Sequence, residues 1–382
     1  MSRSALPLLL LASALVASAA RPAAAAGDRL VVLPPENLSD ASTAPAAVEA
    51  LLAALAQAHG WTPVRDQEVD RALHAARIWR LDSLSPGALR ALGAEVGAEA
   101  VLFSTVDTWL EGENAIVALS LRLVGVDGGE RWSRLIALSA RETEGAIGLH
   151  RAANLAEVAR LAVERGAQSL PAPGARGESR AAHGRRWGLS APATFRSTAL
   201  PSSAPIRVCL VPFVNASESR AAPRIVADLL SRRLAESGRF TLVEPADFRE
   251  ALLAERVPAL RDLDPERLRA VGARLGTTYF LRGSIWRWRE ASPRSDAVLP
   301  EVDLQLELVD VASRRVVWTA HHARRGEDYQ GLLLRGAVGT VVELADRVVG
   351  EMVRAEERAK PIGGARPPAS GAGTEGSRGA QR

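Results

Sequence analysis

Two asparagines occupy equivalent places in two similar stretches of the chain, and each could take part in binding. Asn37 follows the apolar residues 30–33, Asn215 follows the apolar residues 208–211, and a proline-led helix is predicted after each of them. Ligands of open α/β sheets gather where strands end, and helix N-termini attract anions. The alternative is that each side chain holds its own loop as an Asx-turn. The sequence leaves both interpretations open.

A second candidate site is the alternation of tryptophan and arginine at Trp286, Arg287, Trp288 and Arg289. On a regular strand, successive side chains point to opposite faces, so the two tryptophans are predicted to share one face and the two arginines the other. Tryptophan and arginine are enriched in binding hot spots, which favours a partner-binding patch. The alternative is that the tryptophans pack in the core beneath a helix.

The other residue types capable of chemistry stand in patterns that do not favour catalysis. Cys209 is the only cysteine, and its apolar strand favours a buried core residue over a reactive thiol. His321 and His322 are adjacent on a predicted strand, so they point to opposite faces and cannot easily bind one metal ion. Ser284 follows Gly283 inside a strand, where glycine more often permits a close backbone approach. We predict no catalytic residue, no metal site and no cofactor, and therefore not an enzyme.

The sequence pattern of the elements that are predicted to position these residues occurs twice along the chain. Matching residues recur at a near-constant spacing, which changes only where turn residues tolerate insertions. The matched pairs include Pro34 with Pro212, Asn37 with Asn215, Pro45 with Pro223, Gly60 with Gly238, Gly97 with Gly276, Trp109 with Trp288, and Trp132 with Trp318. The sequence therefore predicts two tandem copies of one unit.

Each copy predicts the order strand, helix, strand, helix, three strands, helix. The opening strands are apolar without alternation, which favours a parallel neighbour and burial on both faces. Ser85 and Asp264 each precede a proline and are predicted to cap a helix. Closing helices are predicted over residues 145–168 and 331–354. The predicted fold class is α/β, in detail an α+β mixed sheet with flanking helices.

Composition divides the chain into five parts. Residues 1–26 combine a basic start with an apolar stretch, as in a cleaved secretory signal peptide, and carry no cysteine for a lipid anchor. Residues 27–170 and 206–356 are the two predicted units, of which the first is the more degenerate. Residues 171–205 are rich in proline, alanine and arginine and predict a linker, and residues 357–382 predict a disordered tail. We expect no transmembrane span in the mature chain.

Charge constrains the class of partner. Much of the excess of arginine lies in the signal segment, the linker and the tail, although the whole chain carries a formal net charge of +4. A nucleic-acid-binding domain needs clustered basic residues on a folded face, so no nucleic-acid partner is predicted. Arg185, Arg186 and Trp187 of the linker could contact peptidoglycan or another anionic envelope polymer. The alternative is a linker that is merely solubilising.

The repeated unit resembles the superfamily that contains the TolB amino-terminal domain, the curli secretion lipoprotein CsgG, the flagellar protein FlgO and the penicillin-binding-protein activator LpoB. The resemblance rests on the Val-Pro-Phe-x-Asn stretch at 211–215, the Arg-Gly-Ser strand at 282–284 and Val-Val-Trp at 316–318. In the first copy, Pro35 replaces the phenylalanine and Ser104 stands in the place of Gly283. The second copy is therefore the better preserved one.

The resemblance implies a non-enzymatic interaction module that is periplasmic or secreted and associated with the outer membrane in some relatives. Its implied partners are envelope proteins in envelope assembly, secretion or cell-wall synthesis. Residues 290–301 are too short and too rich in proline to form the pair of membrane strands that a pore requires. The alternative function is a periplasmic sensor that binds a small ligand or glycan through the loops after the first strands.

Overall fold

The computed structural model describes residues 28–78, 81, 84–143, 151–175, 190–202, 205–257, 264–295, 297–330 and 337–362. These residues form two mixed β-sheets with flanking helices, which confirms the predicted fold class. The predicted signal segment and Arg185, Arg186 and Trp187 lie outside the described residues. Within the described residues, no helix combines the length and apolar character that crossing a membrane requires.

The first sheet has the strand order β3-β1-β4-β5-β6, and the short strand β2 also pairs with β4. Strand β1 is parallel to β3 and β4, whereas β4, β5 and β6 form an antiparallel meander. Helices α1 and α4 cover one face of the sheet, and α2 and α3 cover part of the other. The elements are β1 Arg29–Val32, β2 Glu36–Asn37, α1 Ala44–Ala58, β3 Thr62–Pro63, α2 Asp66–Ala75, α3 Pro86–Val96, β4 Ala100–Leu110, β5 Ile116–Gly125, β6 Glu130–Ser139 and α4 Leu155–Ala167.

The second sheet has the order β10-β8-β11-β12-β13-β7, with β9 paired to β11. Helices α5 and α8 cover one face, and α6 and α7 cover part of the other. The elements are β7 Ala193–Arg196, β8 Ile206–Leu210, β9 Val214–Asn215, α5 Ala222–Ser237, β10 Phe240–Leu242, α6 Pro245–Ala254, α7 Pro265–Leu275, β11 Tyr279–Arg289, β12 Glu301–Asp310, β13 Arg315–Arg325 and α8 Val341–Arg358.

The predicted caps explain where α3 and α7 begin. Ser85 Oγ accepts a hydrogen bond from Ala88 N, and the Asp264 carboxylate accepts from the backbone N–H groups of Glu266 and Arg267. These bonds satisfy donors that a helix leaves unpaired at its start. Both helices end on a glycine with a left-handed backbone, Gly97 at φ 63° and Gly276 at φ 65°. The predicted capping roles of Ser85 and Asp264 are confirmed.

Each long first strand of the two meanders carries an extra residue at the same place. The register of β4 on β5 shifts between Val106 and Thr108, and that of β11 on β12 shifts between Ile285 and Arg287. The extra residues are Asp107 and Trp286. Such a bulge leaves one residue unpaired and re-aims the side chains beyond it. The consequences for the candidate site are given below.

Part of the predicted linker belongs to the second sheet. Strand β7 pairs antiparallel with β13, and Arg196 Nε donates to Glu356 Oε1 at 3.0 Å, with both side chains buried. The prediction that residues 171–205 are linker throughout is wrong here, because the short run of β7 gives no periodic signal. In the segment after α8, Ile362 N donates a hydrogen bond to Arg196 O of β7 at 2.8 Å. The remaining unit boundaries stay predictions.

The two sheets differ in how their second faces are covered. Every residue of β4 but the last is buried, because the side of the first sheet away from α1 and α4 packs against the second unit. Ala118, Leu135 and Ala137 contact the core that α5 and α8 build. In the second sheet, burial alternates along β11 to β13, so one face of that meander is open to solvent.

The best-preserved stretch is buried as the sequence predicts. Cys209 is fully buried in the core between the second sheet and α6 and α7, and burial raises the pKa of its thiol to about 12. A Cβ on Gly283 would lie 2.4 Å from the Phe213 ring and 2.5 Å from Gln305 O. The glycine therefore permits a close approach, as predicted from its place within a strand.

Candidate functional site

A cleft of about 1170 Å³ lies between the two units, at the end where β4 and β11 finish. The loops after β2 and β9 form one side, and the ends of β11 and β13 with the start of β12 form the other. Both Asx loops and the predicted tryptophan and arginine patch thus lie around one cleft. The bulged residues Asp107 and Trp286 line it as well.

Both asparagines use their side chains within their own loops. Asn37 Nδ2 donates to Ala41 O at 2.9 Å, and its Oδ1 accepts from the N–H and the hydroxyl of Ser39. Asn215 makes the same bonds, with Nδ2 donating to Ser219 O at 2.8 Å and Oδ1 accepting from Ser217. The arrangement is the Asx loop that the sequence offered as the alternative. A binding role for either asparagine stays a prediction.

The two tryptophans do not share a face. Trp288 is buried in the core under α5 and α8, whereas Trp286 is 49% exposed. The prediction of a common face is wrong because the bulge at Trp286 breaks the two-residue alternation that it assumed. Trp286 is therefore the aromatic side chain that this strand offers to solvent, and Trp288 is a core residue.

Trp288→Ala is expected to lower the free energy of unfolding by about 3–5 kcal/mol, because it removes a large buried side chain and leaves a cavity. Trp286→Ala at the exposed position is expected to change it by less than about 0.5 kcal/mol. Urea denaturation of the two variants beside the parent protein measures the difference. Equal losses in both variants would contradict the assignment of the two residues to different environments.

Three arginines surround one buried glutamate at the rim of the cleft. Glu301 is 7% exposed, and its carboxylate pairs with Arg289, with Arg325 Nε at 2.9 Å and with Arg287 Nη1 at 3.6 Å. The hydrogen bond from Arg289 lowers the pKa of Glu301 against its burial. All three arginine side chains are more than half exposed. Arg325 Nη1 also lies 3.6 Å from Glu327 Oε1, so two carboxylates face three guanidinium groups and the rim keeps a net positive charge.

Two buried carboxyl groups lie deeper in the cleft, one from each unit. Burial raises the pKa of Asp107 to about 8, although Ser120 Oγ donates to its Oδ2 at 2.7 Å. Burial likewise raises the pKa of Glu290 to about 7, against hydrogen bonds from the N–H groups of Ala291 and Val341. Asp107 Oδ1 has no hydrogen-bond partner among the described residues. Burial therefore favours the uncharged form of both carboxyl groups, more strongly for Asp107 than for Glu290.

The remaining polar groups are arranged for structure. His321 Nε2 lies 2.8 Å from Asp303 on the open face, and His322 is buried with Nε2 2.6 Å from Glu351, so the two rings point to opposite sides as predicted. Within the described residues, no group of three or more His, Cys, Asp or Glu side chains is placed to hold a metal ion. The cleft offers hydrogen bonding, positive charge at its rim and one exposed indole, which are means of binding.

Sequence reasoning missed Asp107, Glu290, Glu301 and Arg325 as members of the site. Asp107 stands in the first copy where Trp286 stands in the second, so aligning the copies could have placed it. Glu301 and Arg325 come from strand ends that meet only in the folded sheet. No local sequence signal brings those two together with Arg287 and Arg289.

The comparisons with known proteins bear on the second unit. Residues 197–323 match the model of the family described as the peptidoglycan-synthase activator LpoB. The matched residues extend from β8 through most of β13 and so include Trp286, Arg287 and Arg289. They make up less than half of the chain. The comparison with curated proteins returned no match.

Solved structures show similarity to part of the chain. The PelC dodecamer from Paraburkholderia phytofirmans is 17% identical, with 44% of this chain and 98% of that chain covered and a TM-score of 0.29. The LpoB C-terminal domain from Escherichia coli is 20% identical, with 31% and 82% covered and a TM-score of 0.24. TolB from Acinetobacter baumannii is 14% identical, with 40% and 28% covered and a TM-score of 0.22.

Proposed function

We propose that this chain is a non-enzymatic accessory protein of the cell envelope, whose second unit binds a protein partner in cell-wall synthesis. The observation that supports it most is the match of residues 197–323 to the peptidoglycan-synthase activator family, over the part of the chain that carries Arg287, Arg289 and Glu301 of the positive rim. In this proposal the protein is exported and acts in the periplasm, at or near the outer membrane.

The rim suggests the chemistry of the contact. Arg287, Arg289 and Arg325 present exposed guanidinium groups whose charge Glu301 and Glu327 neutralise only in part. Guanidinium groups form two-pronged hydrogen bonds with carboxylates, and arginine is enriched in protein interfaces. An acidic patch on a peptidoglycan synthase is the partner surface that this rim fits.

Site-specific photo-crosslinking tests the proposal in the native envelope. A photo-reactive amino acid at position 289 is expected to capture a peptidoglycan synthase, whereas the same probe at Leu253, which is 75% exposed on α6, is not. Arg287→Glu in the chain that carries the probe is expected to abolish the capture, and Arg289→Glu without the probe is expected to remove any stimulation of glycan-strand synthesis by the purified partner. Capture of the synthase at both positions, or at neither, would refute the proposed contact.

A second candidate is binding of an anionic glycan, and the observation in its favour is the exposed Trp286 beside the arginines, because indole rings offer an apolar surface next to a polar group. Soluble peptidoglycan fragments added to the crosslinking reaction distinguish the two. Under the protein-partner proposal the fragments leave the capture unchanged. Loss of capture together with fragment-induced thermal stabilisation of the protein would favour the glycan instead.

A further inference from the structure

Within the chain, helices of the second unit pack against the face of the first sheet that α1 and α4 do not cover. Helix α5 faces the first sheet, where Arg224 Nη2 lies 3.0 Å from Glu36 Oε2 and Arg224 Nη1 lies 2.9 Å from Asp228. Further along α5, Ser231 and Arg232 line a cleft shared with β5 and β6. The open face of one sheet is thus covered by the first helix of the other unit and its neighbour α8.

Within the part of the chain that the structure describes, nothing covers the matching surface of the second sheet. Val214 of β9 stands where Glu36 of β2 stands in the first sheet, and Trp286 stands where Asp107 stands. Val214 is 66% exposed and Trp286 is 49% exposed, and both belong to the few large apolar side chains that the described residues expose. Two positions that carry polar residues in the first sheet, where the second unit covers them, therefore carry exposed apolar residues in the second sheet.

The matching helix surface is uncovered on the first unit. Helices α1 and α5 bury the same positions, since Val48 and Leu52 correspond to Val226 and Leu230 and all four are fully buried. The four α5 residues that face the first sheet, Arg224, Asp228, Ser231 and Arg232, correspond to Ala46, Ala50, Ala53 and Ala54 of α1, and three of these alanines are exposed. Helix α1 thus exposes an apolar side to solvent, which is typical of a helix that packs against a partner.

These changes are reciprocal between the two surfaces. Inside the chain, Glu36 and Asp107 on the sheet meet Arg224 and Asp228 on the helix. On the uncovered surfaces, Val214 and Trp286 on the sheet would meet alanines at the same helix positions. The sheet positions and the helix positions have therefore both changed from polar to apolar residues. Independent substitutions on two solvent-exposed surfaces do not explain this paired change.

The neighbouring part of the sheet, which lies beside α8 in the first unit's case, shows the opposite exchange. Helices α4 and α8 begin on corresponding caps, Asn154 and Thr340. Where the first sheet presents the apolar Ala118 and Leu135 to the second unit, the second sheet carries Asp303 and His321. Helix α4 exposes the charged pair Arg160 and Glu164. On the sheet side of this half of the contact, apolar residues have thus become ionisable ones, and α4 carries charges of both signs that could pair with them.

We propose that copies of this chain associate head to tail, with α1 and α4 of one copy against the open face of the second sheet of the next. The partner is a second copy, because the chain already makes the equivalent contact within itself. The two surfaces are different, so the contact is heterologous, and repeating it closes a ring or extends a filament. Thr108, which corresponds to Arg287, is buried and bonds to Glu290 of the second unit, so this assembly places Arg287 in the contact between copies. Leu110, which corresponds to Arg289, lines the open cleft, so Arg289 lies at the edge of the contact. The assembly does not depend on the proposed function.

Sedimentation velocity over a range of protein concentrations tests the association. The parent protein is expected to form larger species as its concentration rises, and Ala46→Arg or Val214→Glu is expected to weaken association by at least about tenfold, since each places an unpaired charge in an apolar contact. The double variant carries both changes, which recreates the Glu36–Arg224 pair between copies and is expected to restore association. A parent protein that stays monomeric at several hundred micromolar, or a double variant no better than the single ones, would overturn the proposal.

Cysteine pairing distinguishes this geometry from other dimers. Ala46→Cys and Val214→Cys, each in its own batch of protein, are expected to form a disulfide-linked dimer when mixed under oxidation and little when alone. Leu253→Cys is the control on α6, and the native Cys209 is buried. Dimers formed equally by each variant alone would indicate a symmetric contact and would refute the head-to-tail arrangement. All variants change exposed positions, and circular dichroism establishes that they fold.

Discussion

Asp346→Ala is expected to lower the free energy of unfolding by about 3–5 kcal/mol, because it removes one partner of a buried ion-pair network. Asp346 is 2% exposed and accepts from Arg233 Nε at 2.8 Å, and it also pairs with Arg232. The network joins α5 to α8, the two helices that cover the second sheet and meet the first. Its loss leaves two guanidinium groups without their shared carboxylate in a site that water hardly reaches.

The chain offers a matched control for this variant. Arg160 holds the corresponding place on α4 and pairs with Glu164, with both side chains about half exposed. Arg160→Ala is expected to cost less than about 0.5 kcal/mol, because solvent screens such a pair. Urea denaturation followed by tryptophan fluorescence measures both. A loss of less than about 1 kcal/mol for Asp346→Ala would mean that the network is not an important part of the packing of α5 on α8.

Stability is expected to fall as the pH rises from about 4 to about 8, and Asp107 is expected to contribute most. Burial raises its pKa from the ordinary 3.8 to about 8. In this pH window the folded protein keeps a proton that the unfolded chain has released, so raising the pH favours unfolding. Glu142 and Glu290, whose pKa burial raises to about 7, act in the same direction. Above the pKa of Asp107 this contribution no longer changes with pH.

Asp107→Asn is expected to raise the free energy of unfolding at pH 8 by about 2–5 kcal/mol and to flatten its dependence on pH, because the amide carries no charge to bury. At pH 3, below the ordinary pKa of 3.8, the carboxyl is mostly neutral in both states, and the same change is expected to have little effect. Asp40→Asn, in an exposed loop of the same cleft, serves as the control and is expected to leave the profile unchanged. The measurement is the urea midpoint at each pH. A parent profile that is flat between pH 5 and 8 would contradict the assignment.

Local signals in the sequence predicted a large part of the fold. Ser85 and Asp264 mark helix starts because a capping side chain bonds N–H groups only two or three residues away. The apolar run at β8 predicts a buried parallel strand because both of its faces meet helices. Gly283 predicts a close approach, which the Phe213 ring supplies. In each case the interaction lies within a few residues or follows from burial alone.

The site was less predictable because its geometry depends on contacts between distant residues. The alternation at Trp286 to Arg289 predicted a shared face, but the bulge that separates the tryptophans is defined by pairing with β12. Strand β7 gave no signal, since four residues become a strand only when β13 is beside them. Asp107 looks like a surface residue in the sequence, and it is buried because the second unit covers it. The contact between the two units within the chain therefore had to come from the structure.

The solitary Cys209 also makes the second sheet measurable by itself. Its thiol is fully buried, and burial keeps it protonated at neutral pH, so a thiol reagent can reach it only when the strand transiently separates from α6 and α7. The labelling rate under native conditions then reports the opening of this core and not of the first one, which has no cysteine. The chain thus carries a built-in reporter of the local unfolding free energy of the second core, which needs no substitution in the sequence.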